Sequence, residues 1–234
     1  MRVGVILPSF EADAAGARSC AAAAEGAGLH GVFAYDHLWP PGEPGRPALA
    51  PFPLLGMLAA ETSGLMLGTL VARIGLVPEN VLVREFRTLD ALSGHRLIAG
   101  IGTGDHRSAA ENLAYGIQPG TAAARRRAVR SVAEDLVRAG IAVWVGAGSE
   151  PTNAIAREVG ATVNVFGTGA DRVAELGRSG AVSWGGVLRR GAEEAATQFR
   201  SLHEAGATWA VVGWPGSVTP IVRAARAAGI ELGQ

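Results

Sequence analysis

The feature that most constrains the fold is a regular alternation of short β-rich runs and amphipathic or alanine-rich segments along the 234-residue chain. Each apolar run has the length of a buried strand, and each segment that follows has the length and spacing of a helix. Glycine follows many of these segments, as in "AEGAG", "REVG" and "HEAG". Glycine is the usual helix C-terminal stop because it adopts the left-handed conformation at little cost. The pattern therefore predicts a repeated strand–helix unit.

Eight such units are predicted, of about 29 residues each. The predicted strands are Val3–Leu7, Gly31–Tyr35, Met66–Val71, Leu97–Ile101, Ala142–Val145, Thr162–Phe166, Ala181–Val187 and Trp209–Val212. The predicted helices are Ala12–Ala27, Pro53–Thr62, Val81–Leu92, Ala122–Ala139, Pro151–Val159, Ala170–Arg178, Ala192–Ala205 and Val218–Ala228.

Alternating strands and helices indicate a parallel sheet with right-handed crossovers, and eight units fit a closed (β/α)8 barrel. A doubly wound open sheet is the rival fold. It normally has fewer strands, and its first turn carries the G-x-G-x-x-G phosphate fingerprint. The first turn here reads "LPSFEADAAG", without those glycines. We therefore predict an α/β protein, a compact TIM barrel in which residues 1–234 form a single domain.

Composition narrows the functional classes. The chain has 21 basic and 21 acidic residues, so it has no net field that would favour nucleic acid or an anionic membrane as a partner. All of the basic residues are arginine. The absence of lysine excludes Schiff-base and pyridoxal chemistry that depends on an active-site lysine.

The single cysteine and the apolar runs exclude further classes. Cys20 alone can form neither an internal disulfide nor a four-cysteine zinc site, and its small-residue surroundings predict a buried structural thiol. No histidine cluster has metal-ligand spacing, so no metal site is predicted. No apolar run reaches about 18 residues, which argues against a membrane span. The start "MRVGVILPSF" is interpreted as a first strand rather than a signal peptide, and a cytoplasmic location is expected.

In a barrel of this kind the active site lies at the carboxyl ends of the strands, so polar residues there are the first candidates. "YDHLWPPG" follows strand two, "GIGTGDHRS" strand four, "GAGSEP" strand five, "GTGAD" strand six and "GWPG" strand eight. The glycines let backbone amides approach a ligand closely, although a tight turn explains any one pair equally well.

The junction after strand two holds the strongest candidates. His37 can donate or accept a proton near neutral pH, since imidazole ordinarily titrates near pH 6.5. Its alternative is a structural histidine bonded to a carbonyl group. Asp36 is either a strand-end cap or a hydrogen-bond acceptor for a ligand. Trp39 and Trp214 are candidates for the substrate pocket, although packing against Pro40 and Pro41 also explains Trp39.

Four stretches resemble the luciferase-like flavin and deazaflavin (F420) oxidoreductases. They are "AAEGAGLHGVFAYDHLWP", "LLGMLAAETSGLMLGTLV", "VREFRTLDALSGHRLIAGIGTGD" and "VWVGAGS", and together they cover about Val3 to Ser149. The third is the most distinctive. The family fold is a (β/α)8 barrel, in agreement with the count of units.

The resemblance implies a flavin-type cofactor at the carboxyl rim. It assigns Asp36 to the cofactor and His37 to the substrate, and it implies a backbone bulge supporting the ring near Thr69, Leu70 and Val71. "GTGD" would place Thr103 and Gly104 near the cofactor and Asp105 near the substrate. Asp105 and His106 form a second acid–histidine pair in the sequence, although His106 could equally be an exposed loop residue. The turn Gly146, Ala147, Gly148 and Ser149 would hold the cofactor phosphate, and Ser149 also suits a helix cap.

The implied chemistry is hydride transfer between the cofactor and a small organic substrate. Coenzyme F420 is the preferred cofactor on the "YDH" and "GTGD" stretches. Flavin mononucleotide (FMN), which would support a monooxygenase or reductase, is the alternative. A barrel that binds flavin without catalysis is the second alternative. The loop after strand seven is only "LRRG", shorter than in many relatives, which would leave the substrate pocket either more open or completed by a partner chain. A homodimer is therefore expected.

Overall fold

The computed structural model describes residues 1–104, 108–118, 120–146 and 148–233, and its strands form one parallel sheet that closes on itself. The strands are β1 (Arg2–Ile6), β2 (Gly31–Ala34), β3 (Met66–Thr69), β4 (Ala72–Arg73), β5 (Leu97–Gly102), β6 (Ala142–Gly146), β7 (Thr162–Phe166), β8 (Val182–Gly186) and β9 (Ala207–Gly213). The helices are α1 (Ala15–Gly26), α2 (Pro51–Glu61), α3 (Glu79–Leu92), α4 (Ala109–Ala114), α5 (Ala122–Arg138), α6 (Glu150–Glu158), α7 (Ala170–Gly177), α8 (Ala192–Glu204) and α9 (Thr219–Ala227).

The hydrogen-bond pairings confirm the predicted barrel. Strand β1 pairs with β2 on one side and with β9 on the other, and β3 pairs with β5. The remaining neighbours follow in chain order, so eight staves close in parallel with helices between them. The carboxyl ends of all staves consequently meet at one rim.

The third stave differs from its prediction. A single strand over Met66–Val71 is expected from the sequence, but the structure has β3 and β4 separated by Leu70 and Val71, which are joined by a cis peptide bond. Both halves pair with β5. At the break the Thr69 hydroxyl donates to the Gly100 carbonyl oxygen over 2.6 Å. The interruption lies where the resemblance implies a backbone bulge.

Two helices also differ from their predictions. Helix α1 begins at Ala15 rather than Ala12, because the Asp13 carboxylate accepts a hydrogen bond from the Ala15 backbone N–H (2.8 Å) and holds the preceding residues outside the helix. The short helix α4 was not predicted. It has only six residues, too few for a helical period to stand out in the sequence.

The barrel interior is filled by an aromatic cluster. The ring centroid of Phe33 lies 5.0 Å from that of Trp144 and 5.6 Å from that of Trp209. Glycines on neighbouring staves leave room for these rings, since a Cβ atom would lie 2.8 Å from Phe33 at Gly4 and 2.5 Å at Gly68. Because these large rings pack against glycines, the interior beneath the rim is filled and closed.

A second apolar layer lies between the strands and the helices. Cys20 on α1 is buried there, as predicted from its small-residue surroundings, and so is Trp184 on β8. Burial raises the pKa of the Cys20 thiol to about 12, which keeps it protonated and unreactive at neutral pH. None of the helices among the described residues is long and apolar enough to cross a membrane.

Candidate active site at the barrel rim

A cavity of about 620 Å³ opens at the carboxyl rim of the barrel. Its walls come from the ends of most staves and from the loops that follow them. The residues that line it are Phe10, Tyr35, Asp36, His37, Pro41, Leu70, Val71, Arg73, Gly102, Thr103, Gly104, Ser108, Gly146, Gly148, Asn164, Phe166 and Thr168. This is where a TIM barrel places its chemistry, and the volume suits a cofactor together with a small substrate.

His37 follows β2 and faces this cavity with its side chain 25% exposed. One ring nitrogen, Nδ1, lies 2.7 Å from Glu111 Oε1. The residues that separate these two in sequence span more than two strand–helix units, so the contact depends on the closed barrel. The imidazole is therefore fixed at one nitrogen on a wall of the cavity.

Glu111 is a buried carboxylate, only 1% exposed, on the unpredicted helix α4. Besides contacting His37, Glu111 accepts hydrogen bonds from the backbone N–H of Leu38 (2.8 Å) and from Nη2 of Arg73 (3.0 Å), both through Oε2. A buried charge needs this kind of compensation, because an unpaired carboxylate in the interior is strongly destabilising. The carboxylate thus has a hydrogen bond or ion pair on each oxygen.

Arg73, which ends β4, joins Glu111 to the aspartate beside His37. Its backbone N–H donates to Asp36 Oδ2 and its Nε donates to the Asp36 carbonyl oxygen, both over 2.8 Å. Burial raises the pKa of Asp36, and the hydrogen bond and charge of Arg73 oppose that shift. Asp36 is therefore held in place while remaining part of the cavity wall.

The floor of the cavity is apolar, and part of its wall is bare backbone. Leu70 and Val71 form the floor at the break in the third stave. Gly102, Gly104, Gly146 and Gly148 contribute no side chains, so peptide groups at the ends of β5 and β6 can approach a ligand closely. At Gly102 a Cβ atom would come within 2.7 Å of Val71 Cγ2, so the floor packs as observed only with glycine there.

A polar group on the far wall lacks a partner. The Thr168 hydroxyl oxygen is buried and has no hydrogen bond among the described residues. Thr168 lies two residues before α7 and lines the cavity, as does Asn164, whose amide donates to the Ser183 hydroxyl over 3.0 Å. An unsatisfied buried hydroxyl at a cavity wall is a binding group for a polar ligand atom.

Aromatic rings form the remaining wall. Tyr35 stacks on Phe10 with the ring centroids 5.7 Å apart, and it makes edge contacts of 6.3 Å with both His37 and Phe166. Burial raises the pKa of Tyr35 to about 12, so its hydroxyl is neutral at physiological pH and available as a donor. This wall limits how His37 can rotate.

The structure brings together most of the residues predicted for the site. The predicted residues that line the cavity are Asp36, His37, Leu70, Val71, Thr103, Gly104, Gly146 and Gly148. Asp105, His106 and Ala147 lie outside the described residues.

Four predicted site residues are not among those that line the cavity. Thr69 is buried and its hydroxyl is bonded to β5. Ser149 precedes α6, but its hydroxyl contacts the Thr152 hydroxyl (3.0 Å) instead of capping the helix. Trp39 is buried against Tyr115, with ring centroids 5.9 Å apart, and Trp214 packs on the core between strands and helices. Both tryptophans follow strands, yet the chain turns their rings away from the cavity and into apolar packing.

Sequence reasoning missed Phe10, Tyr35, Arg73 and Glu111. Arg73 lies in "VARIGLVPEN", where its position at a strand end was a usable signal. Glu111 carried no local signal, because it lies on a six-residue helix beyond the recognisable "GTGD" stretch. Within the described ranges, no group of three or more histidine, cysteine, aspartate or glutamate side chains is arranged to hold a metal ion.

A parallel (β/α)8 barrel with an acid–histidine pair and glycine-lined backbone around a rim cavity defines a ligand-binding barrel of the enzyme type. Comparison with protein families identifies it more closely, since residues 1–134 match the model of the luciferase-like monooxygenase family. That match spans more than half of the chain. The chain belongs to this family.

Individual relatives cover less of the sequence. The F420-dependent glucose-6-phosphate dehydrogenase of Beutenbergia cavernae is 40% identical over 83 residues, which are 35% of this chain and 25% of that relative. The matched region thus amounts to a quarter of the length of the curated relative.

Solved structures resemble the whole barrel. An F420-dependent secondary alcohol dehydrogenase in complex with an F420–acetone adduct superimposes with a TM-score of 0.76 at 11% identity, covering 91% of this chain and 92% of that one. The coenzyme F420 dependent tetrahydromethanopterin reductase from Methanopyrus kandleri gives 0.73 at 14% identity, covering 98% of both chains. At these identities the likeness concerns the fold.

Proposed function

We propose that this protein is an oxidoreductase that transfers a hydride between coenzyme F420 and a small organic substrate. The observation that carries the proposal is His37, held by Glu111 beside Asp36 on the wall of a rim cavity. Membership of the luciferase-like family supports the proposal, as does the F420 dependence of the dehydrogenases that the chain resembles. A dehydrogenase needs a group that exchanges a proton and a cavity that holds cofactor and substrate, and His37 and the rim cavity offer both.

The residues present fit a deazaflavin or flavin. Leu70 and Val71 offer a flat apolar floor for a ring system, and the bare peptide groups at Gly146 and Gly148 suit a phosphate at the amino end of α6. The unpartnered Thr168 hydroxyl supplies a further polar contact. We assign cofactor contacts to Asp36, Leu70, Val71, Thr103, Gly104 and residues 146–148.

The bound cofactor supplies the hydride chemistry, and the protein supplies position and protons. In the proposed reaction His37 gives or takes the substrate proton while the hydride moves, since it is the imidazole on the cavity wall. Asp36 orients the cofactor ring from the same wall. Asp105 is proposed to contact the substrate.

Fluorescence titration with coenzyme F420 and with FMN tests the cofactor assignment. Saturable binding of coenzyme F420 that is tighter than binding of FMN is the expected result. Tighter binding of FMN would replace the proposal with an FMN-dependent monooxygenase or reductase, which the family name favours. Binding of neither would favour a barrel without this catalytic activity.

Replacing His37 tests the proton-transfer role. The variant His37→Ala should lower kcat by about 10²–10⁴-fold, the usual contribution of a general acid or base, with the dissociation constant of the cofactor unchanged. His203→Ala is the control, because His203 is exposed on α8 and distant in the fold from the rim cavity. Unchanged turnover in His37→Ala would remove the residue as acid or base.

We also propose that residues 1–234 act as one domain, as a homodimer in the cytoplasm. Large exposed apolar side chains support a partner surface: Leu92, Leu113, Tyr115 and Val187. Sedimentation velocity of the full chain at micromolar concentration tests this. A single species at the monomer mass of 23.9 kDa would contradict the dimer.

A further inference from the structure

We propose that Glu111 is a positioning residue that fixes the tautomer of His37, so that Nδ1 carries the proton and Nε2 is the atom that exchanges protons with the substrate. The inference rests on the proposed function for its catalytic consequence. The tautomer of His37 itself can be determined without any cofactor.

The geometry of the carboxylate leads to this assignment. Glu111 accepts from Leu38 N and Arg73 Nη2 through Oε2, and its Oε1 lies 2.7 Å from His37 Nδ1. A carboxylate that already receives an arginine and a backbone N–H is an acceptor, so the hydrogen in the third contact belongs to Nδ1. In a neutral imidazole the other nitrogen, Nε2, is then the unprotonated base.

Arg73 contacts both Glu111 and Asp36. Its guanidinium is permanently charged and lies 3.0 Å from Glu111 while itself only 6% exposed, so it balances the buried carboxylate. Its backbone and Nε at the same time hold Asp36, the residue next to His37. One arginine thus fixes both the acid behind the histidine and the chain segment that carries it.

The charged and titratable groups around His37 come from several elements. Tyr35 and Asp36 directly follow β2, Arg73 belongs to β4 and Glu111 to α4. Glu85 on α3 faces Asp36, and burial together with the Asp36 charge raises the pKa of Glu85. Among these described groups, Glu111 is the one in direct contact with an imidazole nitrogen.

Heteronuclear NMR of the full chain labelled with ¹⁵N-histidine tests the tautomer directly. We expect the His37 signals, identified by their absence in His37→Ala, to show a protonated Nδ1 and an unprotonated Nε2 above neutral pH. In Glu111→Gln this preference should weaken, because one amide oxygen must serve three donors. A wild-type spectrum with the proton on Nε2 would overturn the proposal, even if the variant did not fold.

Kinetics test the consequence. Glu111→Gln should lower kcat by about 10–100-fold with little change in KM, the usual effect of losing a partner behind a functional histidine. Glu158→Gln is the control, as Glu158 forms an exposed ion pair with Arg130.

A purely structural role for Glu111 would change stability and leave the tautomer of His37 unmoved in Glu111→Gln, and that result would overturn the proposal. Failure of the proposed function is recognised separately. If the wild-type protein binds neither cofactor and turns nothing over, the proposed function fails, while the NMR result still decides whether Glu111 fixes the tautomer.

Discussion

Two histidines of this chain make the same contact with a carboxylate in different surroundings. His37 and His95 each have a carboxylate oxygen 2.7 Å from Nδ1. The acid at His37 is the buried Glu111, whereas the His95 side chain is 83% exposed beside the half-buried Asp90 on α3. Water screens the second pair, so it contributes little to stability or to reactivity. The same distance therefore occurs once in a buried network at the cavity wall and once in a solvent-exposed pair.

His30 represents a third situation, in which the neutral ring is part of the fold. Its Nδ1 accepts a hydrogen bond from the Val3 backbone N–H over 3.0 Å. Burial lowers the pKa of His30, and the charges of Arg2 and the N-terminal amine lower it further. Protonation at Nδ1 would remove the acceptor that holds the start of β1.

This predicts a pH-dependent stability. The unfolded imidazole binds a proton below about pH 6.5, whereas the folded ring binds it at lower pH. The free energy of unfolding should therefore be fully retained above about pH 6.5 and should decline as the pH falls toward the folded pKa. Urea denaturation of the wild-type protein between about pH 7 and pH 5 measures the decline.

The matched control for this prediction is His30→Asn. The amide oxygen of asparagine offers an acceptor to Val3 but does not titrate in this range. Its stability should consequently depend less on pH than that of the wild-type protein. Parallel pH profiles for the two proteins would show that His30 is not responsible.

Among the elements, the connection between α3 and β5 explains the most distinctive stretch of the sequence. Arg96 in "TLDALSGHR" donates to Ser93 at the end of α3. It also donates to the carbonyl oxygens of Ala59, Thr62 and Leu65 around the end of α2. These carbonyl groups belong to a helix end and the turn after it, where backbone acceptors lack helical partners. The stretch therefore ties two helices together and is remote in role from the rim cavity.

Removing this arginine should destabilise the protein strongly. We expect Arg96→Ala to lower the free energy of unfolding by about 3 kcal/mol, because several partly buried acceptors lose a charged donor. Arg138→Ala is the control, since Arg138 is exposed and its ion pair among the described residues is with Asp135 on its own helix. Its effect should stay within about 0.5 kcal/mol. Equal effects in a denaturant titration would contradict the anchoring role.

For the whole molecule, the decisive feature is how the barrel closes around its aromatic cluster. Phe33, Trp144 and Trp209 pack together in the interior, and Phe33 fits there because Gly4 and Gly68 on the adjacent staves leave room for its ring. The rings support the Leu70–Val71 segment that forms the floor of the cavity, since these residues belong to or pack on the same interior cluster. Packing in the interior and the shape of the site are thus linked.

A single methyl group tests this link. In Gly68→Ala the new Cβ would lie 2.5 Å from Phe33, so we expect a loss of about 1–3 kcal/mol in the free energy of unfolding. Gly56→Ala is the matched control, because Gly56 lies within α2 and a Cβ there meets no atom within 4 Å. It should be neutral or stabilising by up to about 1 kcal/mol. Denaturant unfolding of both variants makes the comparison, and equal stabilities would contradict the packing argument.

The barrel was predictable from the sequence because its causes are local. Strand lengths, helix lengths and the glycines that end helices recur with one period, and only a few folds accept eight such units. Most boundaries agree with the structure within a few residues, as in Thr162–Phe166, which is identical to β7. The pattern of apolar residues did not predict the break in the third stave, since Leu70 and Val71 continue the apolar run.

The candidate site was predictable only in part. The fold places strand ends at one rim, so Asp36, His37 and the glycines of β5 and β6 followed from their positions. Trp39 and Trp214 follow strands too, yet their rings pack elsewhere, since large apolar side chains are stabilised by burial wherever a surface is available.

The sequence by itself thus determined the repeating unit, the rim on which the chemistry lies and the acid–histidine pair after β2. Only the tertiary structure decided what this pair contacts. Arg73 and Glu111 come from β4 and α4, and they meet Asp36 and His37 because closing the barrel brings these elements side by side. Such contacts depend on which faces of distant elements meet, and no local pattern of residues encodes that information.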